Sequence, residues 1–436
     1  MSHKNGLLAL SPIILMATLF AFFGIAWGDF YKVPLVVVFA IVLIYAVCIS
    51  RGKTISERIE AVSTGAGDRN LLMMLWIFLL AGSFAQIAKS MGAIDATVNL
   101  TLAFLPNVLV LPGLFLAACF ISISIGTSVG TIVALAPIAA GMAEPTGMPM
   151  SLLVANTVGG AFFGDNLSFI SDTTIVATRS QGVRLSDKFK ANVRIAVPAA
   201  IMTFFVLLFQ GFAFSSGSAD FSVAGFGSLP EGTWLKMLPY LCVLIAAARG
   251  VNVLVVLTAG NIMAVILGLA LGDLSVETAM GASADGMKSM TETILVALMA
   301  GGLMELIRRG GGIGYLIYHL TRRIKGKRGA ETAIAALVSL TNCCTANNTI
   351  AILSVGKISA EIAQRFGVNR CKTASLLDTF SCVVQGVLPY GAQLLIAAGL
   401  TGLNPVEIIP NLYYNFILAF VAIGGIVFRY PKKYSL

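Results

Sequence analysis

The chain has 436 residues, of which 57% are hydrophobic and only 11% charged, whereas ordinary soluble domains carry about a quarter charged residues. A soluble core of this size could not hide so much apolar surface, so lipid must solvate much of the exterior. The net charge of +9 does not argue for nucleic acid, because Lys and Arg fall in short clusters between apolar runs, as the positive-inside rule predicts for membrane proteins.

About 20 apolar residues are needed to cross the hydrocarbon as a helix. In chain order, the pattern predicts spans near 7–27, 33–50, 70–89, 150–180, 192–213, 234–249, 251–272, 291–307, 373–402 and 411–428. Leu7 to Trp27 is long enough to span and no small-residue cleavage site follows, so it reads as a helix rather than a leader. Two further apolar stretches, 104–142 and 330–362, are each interrupted in the middle by Gly, Thr or Asn and read as two-armed hairpins. Basic residues cluster at 51–69, 179–194, 322–328, 365–372 and the C-terminal tail, whereas 214–233 has no Lys or Arg. With the basic segments in the cytoplasm, one arrangement fits. Both termini lie inside, with ten crossings and two re-entrant hairpins.

The halves resemble each other. Leu80-Ala81-Gly82-Ser83 matches Met299-Ala300-Gly301-Gly302, Gly126-Thr127-Ser128-Val129-Gly130-Thr131-Ile132 matches Cys344-Thr345-Ala346-Asn347-Asn348-Thr349-Ile350, and Ser151-Leu152-Leu153 echoes Ser375-Leu376-Leu377. On this register Asp378 faces Asn156. Each half holds five crossings and one hairpin, so the second half begins on the opposite face. The expected fold is an all-α polytopic membrane protein of two inverted repeats, 1–213 and 234–436, joined by an extracytoplasmic linker at 214–233. Inverted repeats with interrupted helices are typical of secondary transporters.

Unwound backbone at membrane depth is tolerable only beside protein, water or a ligand. Four interruptions supply it: Gly126 to Thr131, Phe163 to Thr174, Asn342 to Thr349, and Gln385 to Gly391 with Pro389. Asp165 and Asp172 are seven residues apart, one face of a continuous helix. An Asp at the bilayer centre costs about 2.5–3.5 kcal/mol on insertion scales, so it persists for a reason. A hard cation wants oxygen ligands, and Asp165, Asp172 and Asp378 are the candidates to bind Na⁺. Thr127, Ser128, Thr131, Asn166, Ser168, Thr173, Thr345, Asn347, Asn348, Thr349 and Gln385 supply further oxygens. Singly, each hydroxyl is more often a helix–helix hydrogen-bonder; only their collection in paired breaks points to a site. Glu305, beside Arg308 and Arg309, reads as a membrane-edge salt bridge. No Lys or Arg falls in the predicted centre of the membrane, which argues against a dianionic substrate.

Other chemistries are excluded. The cysteines form no CxxC pair and the only histidines are His3 and His319, so neither a disulfide scaffold nor a metal site is expected. Gly126-Thr127-Ser128-Val129-Gly130 fits GxSxG, but no strand precedes it and no base accompanies it. No phosphate-binding GxxxxGK[ST] occurs. An enzyme is not expected, and no cofactor.

The run Gly164-Asp165-Asn166-Leu167-Ser168-Phe169-Ile170-Ser171-Asp172-Thr173-Thr174, with Gly126-Thr127-Ser128-Val129-Gly130-Thr131 upstream, resembles the NhaC-type sodium:proton antiporter family of the ion transporter superfamily. The resemblance covers about 70–430 and implies exchange of cytoplasmic Na⁺ for external H⁺ across a bacterial inner membrane; some relatives carry organic acids or amino acids instead. Here Asn166 to Phe169 stand where relatives often show a Lys and a Ser-Pro. The partners expected are sodium ions, protons and the lipid bilayer, and a homodimer is compatible with folds of this kind.

Overall fold

A computed structural model describes residues 3–27, 33–50, 54–168, 171–214, 233–249, 251–322 and 324–435. The expected linker 214–233 lies outside the described residues except at its ends, as do Phe169 and Ile170 of the motif. The described residues form helices and no strand. In chain order they are α1 (His3–Ala26), α2 (Leu35–Ile49), α3 (Ile55–Ala66), α4 (Arg69–Ser90), α5 (Ala93–Phe104), α6 (Asn107–Ile125), α7 (Ser128–Gly141), the single turn α8 (Ala143–Thr146), α9 (Met150–Leu167), α10 (Asp172–Gln181) and α11 (Leu185–Phe214). There follow α12 (Thr233–Lys236), α13 (Leu238–Ala248), α14 (Val253–Ala270), α15 (Val276–Ser289), α16 (Thr291–Arg309), α17 (Gly312–Thr321), α18 (Gly326–Thr345), α19 (Asn348–Phe366), α20 (Arg370–Val387), α21 (Ala392–Thr401), α22 (Pro405–Ile408), α23 (Tyr413–Val427) and α24 (Lys432–Ser435).

By length and apolarity, six of the described helical segments can cross a membrane, and a seventh if the bent pair 405–411 and 413–427 counts as one span. Of the ten spans expected, several are not single long helices. The 150–180 stretch is two helices, and 33–50 yields a helix of only 15 residues. Two segments read as basic loops are helical instead. Within 51–69, α3 lays Gly65 against Gly301 of α16; within 179–194, Leu185 already begins the 30-residue α11.

Contacts fix the directions of the central helices. Asn156 meets Leu111, Gly160 meets Ala118, and Ser168 meets Ile123, so α6 and α9 run side by side in the same direction. Gly160 and Gly164 make this possible, since a Cβ at either would collide with α6. The chain must therefore come back between them, which α7 and α8 do. The turn from α6 to α7 sits beside the gap between α9 and α10. In the second half Asn342 bonds to Ser381, and Ala346, at the α18–α19 turn, accepts from Gln385, so α18 and α20 also run in the same direction. Across the halves, Phe162 meets Gly386 and Asn166 meets Thr379, so α9 and α20 run antiparallel.

The places where the backbone leaves the right-handed region recur at a spacing of about 220 residues. Gly126 and Ala346 close α6 and α18 at φ +75 and +50, Gly147 and Gly367 both stand at +67, and Gly182 and Gly402 at +64 and +74. On that spacing Asp165 corresponds to Gln385, and Asp378 to Val158 rather than Asn156. Contacts cross over in the same way: Gly65 of α3 seats on Gly301 of α16, and Gly286 of α15 seats on Gly82 of α4. A methyl at Gly82 or Gly286 would overlap the opposing backbone carbonyl.

Candidate functional site

Four helix breaks converge on one small polar cavity of about 120 Å³. One wall is the α6–α7 turn, with Gly126, Thr127 and Ser128. A second is the α9–α10 gap, with Asp165, Ser171, Asp172 and Thr173. The α18–α19 turn supplies Ala346, Asn347, Asn348 and Thr349, and the α20–α21 gap supplies Gln385, Ala392 and Gln393. Backbone N–H groups at helix starts and C=O groups at helix ends lack intrahelical partners, so the cavity gathers donors and acceptors of both signs.

Asp165 lies in the last turn of α9 and is 5% exposed. Ser171 Oγ donates to its Oδ1 at 2.5 Å and Ser128 Oγ to its Oδ2 at 3.0 Å. The network continues into the second half. Gln393 Nε2 donates to Ser128 Oγ at 3.0 Å, and Gln385 Nε2 donates to Gln393 Oε1 at 3.0 Å and to the Ala346 carbonyl at 3.2 Å. Asp165 thus ends a polar chain tying both halves together, and among the described residues its donors are the neutral hydroxyls of Ser128 and Ser171. Asp172, the first residue of α10, is exposed and suits that helix start, where the macrodipole favours an anion. The two acids do not share a face of one helix, because the helix stops between them.

Of the residues singled out in the sequence, Thr127, Ser128, Asp165, Asp172, Thr173, Asn347, Asn348, Thr349 and Gln385 line the cavity. Five others do not. Thr131 bonds back to the Thr127 carbonyl, Ser168 to the Ile123 carbonyl, and Thr345 to the Asn347 carbonyl. Asn166 and Asp378 belong to a separate buried cluster. There Lys188 Nζ, on a side chain 1% exposed, donates to Asp378 Oδ2 at 2.5 Å, Thr174 Oγ1 at 2.6 Å and the Asn166 carbonyl at 2.8 Å. Asn192 Nδ2 adds bonds to Asp378 Oδ2, Asn166 Oδ1 and the Asn166 carbonyl.

Lys188 is buried within the protein although it comes from a segment read as a basic loop. A second buried pair is Lys372 with Glu331 at 2.8 Å. The sequence held a signal for Lys188. Lys188, Ala191, Asn192, Ile195, Ala196 and Ala199 are the buried residues at the start of α11, a 3–4 spacing that marks an inward helix face. Gln393 had no such signal beyond standing at the spacing of Thr173. Glu305 does make a salt bridge with both arginines, accepting from Arg308 and Arg309 at 2.6 Å.

A larger space of about 350 Å³ adjoins the cavity. Met74, Ala346, Asn347 and Ala392 border both, and its far end is marked by Asp68, Glu305 and Arg308. It runs from Asp68, Glu305 and Arg308 to the helix breaks at Ala346, Asn347 and Ala392. Near the start of α16, Thr293 bonds to the Leu395 carbonyl and Met290, fully buried, packs against Gly399.

A family model described as the Na⁺/H⁺ antiporter family matches residues 6–212, 160–284 and 234–429 of this chain. The chain is 25% identical over 386 residues to the "Na(+)/H(+) antiporter NhaC" of Bacillus subtilis, covering 82% of this chain and 84% of that one. It is 26% identical over 321 residues to the protein of the same name from Alkalihalophilus pseudofirmus, covering 68% of each. It is also 20% identical over 396 residues to the "Malate-2H(+)/Na(+)-lactate antiporter" of Bacillus subtilis, covering 84% and 83%.

Proposed function

We propose that this chain, which belongs to the Na⁺/H⁺ antiporter family, exchanges Na⁺ for H⁺ at Asp165. It is a membrane antiporter rather than an enzyme. Na⁺ and a proton would compete for the Asp165 carboxylate, each excluding the other, so that one enters as the other leaves. The observation that carries this reading is that, among the described residues, no Lys or Arg pairs with Asp165 or lines its cavity, which is bordered by four helix breaks. Ser128, Thr173, Gln393 and the free helix-end carbonyls would complete an oxygen shell, with Asp172 adding negative potential at the mouth.

The two halves, 1–213 and 234–436, act as inverted repeats in this reading. Supporting it are the antiparallel course of α9 and α20, the recurring left-handed caps and the crossed glycine contacts. The α6–α7 and α18–α19 pairs would be re-entrant hairpins whose tips meet mid-membrane. With the basic segments in the cytoplasm of a bacterial inner membrane, the larger space past Asp68 and Glu305 opens inward, and the packing of α21 at Met290 and Thr293 closes the outer side. Alternating access would swap the two.

A second reading is a coupled carrier of a small organic acid, as the name of the malate–lactate relative suggests. The cavity disfavours it: among the described residues, Asp165 and Asp172 are its only charged lining residues, and both repel carboxylates. Everted vesicles expressing Asp165→Asn should lose Na⁺-dependent ΔpH, whereas full exchange in that variant would remove the proposal. Labelled malate or lactate uptake into proteoliposomes separates the second reading.

A further inference from the structure

The geometry points to Lys188 as a tethered cation: its ammonium fills a second cation site, one that would otherwise bind a Na⁺ ion. Its three acceptors are a carboxylate oxygen of Asp378, the hydroxyl of Thr174 and the main-chain carbonyl of Asn166, at 2.5, 2.6 and 2.8 Å. That is the donor set a hard cation takes. The Asn166 carbonyl lies in the last turn of α9, where the helix dipole favours positive charge. Two further oxygens in the cluster, Asp378 Oδ1 and Asn192 Oδ1, are buried and make no hydrogen bond. Buried acceptors left without donors are costly, so the cluster is richer in acceptors than one ammonium needs. Asp378 is fully buried and Lys188 nearly so.

The cage joins α9, α10, α11 and α20, and Asn166 is the neighbour of Asp165. The ammonium therefore holds the turn that presents the proposed Na⁺ ligand, and its charge stays with the protein through the cycle. The inference rests on the reading of Asp165 as the exchanged-ion site and adds to it: one mobile cation at Asp165, one fixed cation at Asp378.

Binding of radiolabelled Na⁺ to the purified full-length protein tests this. Wild type should bind one Na⁺ per chain and Lys188→Met two, with K188M/D378N returning to one. Lys188→Met should also gain a larger Na⁺-over-choline shift in thermal stability than wild type. Equal Na⁺ counts in wild type and Lys188→Met would overturn the inference. So would a Lys188→Met protein that is unfolded in Na⁺ and choline alike, since Na⁺ would then fail to replace the ammonium. Loss of the wild-type ion in Asp165→Asn checks the earlier reading separately. The difference between K188M and K188M/D378N stands or falls without it.

Discussion

Asp165 and Asp378 are both buried carboxylates on the central pair of antiparallel helices, yet their surroundings differ in kind. Asp165 is held by two serine hydroxyls and lines the cavity at the helix breaks; Asp378 is held by an ammonium and an amide and does not line it. Burial alone does not distinguish an exchange site from a strut. What separates them is whether a mobile ion can reach the carboxylate and whether a resident cation already holds it.

The comparison breaks most readily at Lys188. Removing one partner of a buried ion pair leaves an uncompensated charge and costs about 3–5 kcal/mol. Lys188→Gln should therefore destabilise the protein by about that much in choline buffer, read by thermal unfolding, and Na⁺ should recover part of it. A change no larger than a surface mutation would mean that Asp378 is not held as the geometry shows.

On the Asp165 side the partners are hydroxyls, and the effects are smaller. Ser128 donates to Asp165 and accepts from Gln393, and a hydrogen bond to a charged group is worth about 1.5–3 kcal/mol. Ser128→Ala should weaken Na⁺ binding by about tenfold or more, measured by calorimetry, while leaving the fold intact. Unchanged affinity would place Ser128 outside the ion's shell.

The smallest effect contrasts the two hairpin turns. Gly126 adopts its left-handed conformation freely, whereas Ala346 holds φ +50 against its Cβ, at a cost of roughly 1–2 kcal/mol. Ala346→Gly should raise stability by about 1 kcal/mol. A loss of transport with that gain would mean the strained turn contributes to the working of the site.

Much of this was legible in the sequence. Gly126, Asn347, Pro389 and Gly391 stand at the helix breaks, and an Asp beside such a break stands out in an apolar run. Lys188 was not legible as a core residue, because Arg184, Lys190 and Arg194 surround it and are not buried with it. Charge clustering outvoted helical spacing. The role of Gln393 depends on how α21 meets α7, a contact between residues 265 positions apart, which no local pattern encodes. The left-handed caps recur at a spacing of 220 residues, a regularity of backbone conformation that no short sequence match such as Ser-Leu-Leu displays.

The competition of Na⁺ and H⁺ at one carboxylate can be watched directly by adding Na⁺ to the purified protein in weakly buffered solution with a pH-sensitive dye. Wild type should release protons as Na⁺ binds, and Asp165→Asn should release none. Equal proton release from both would contradict Asp165 as the shared site.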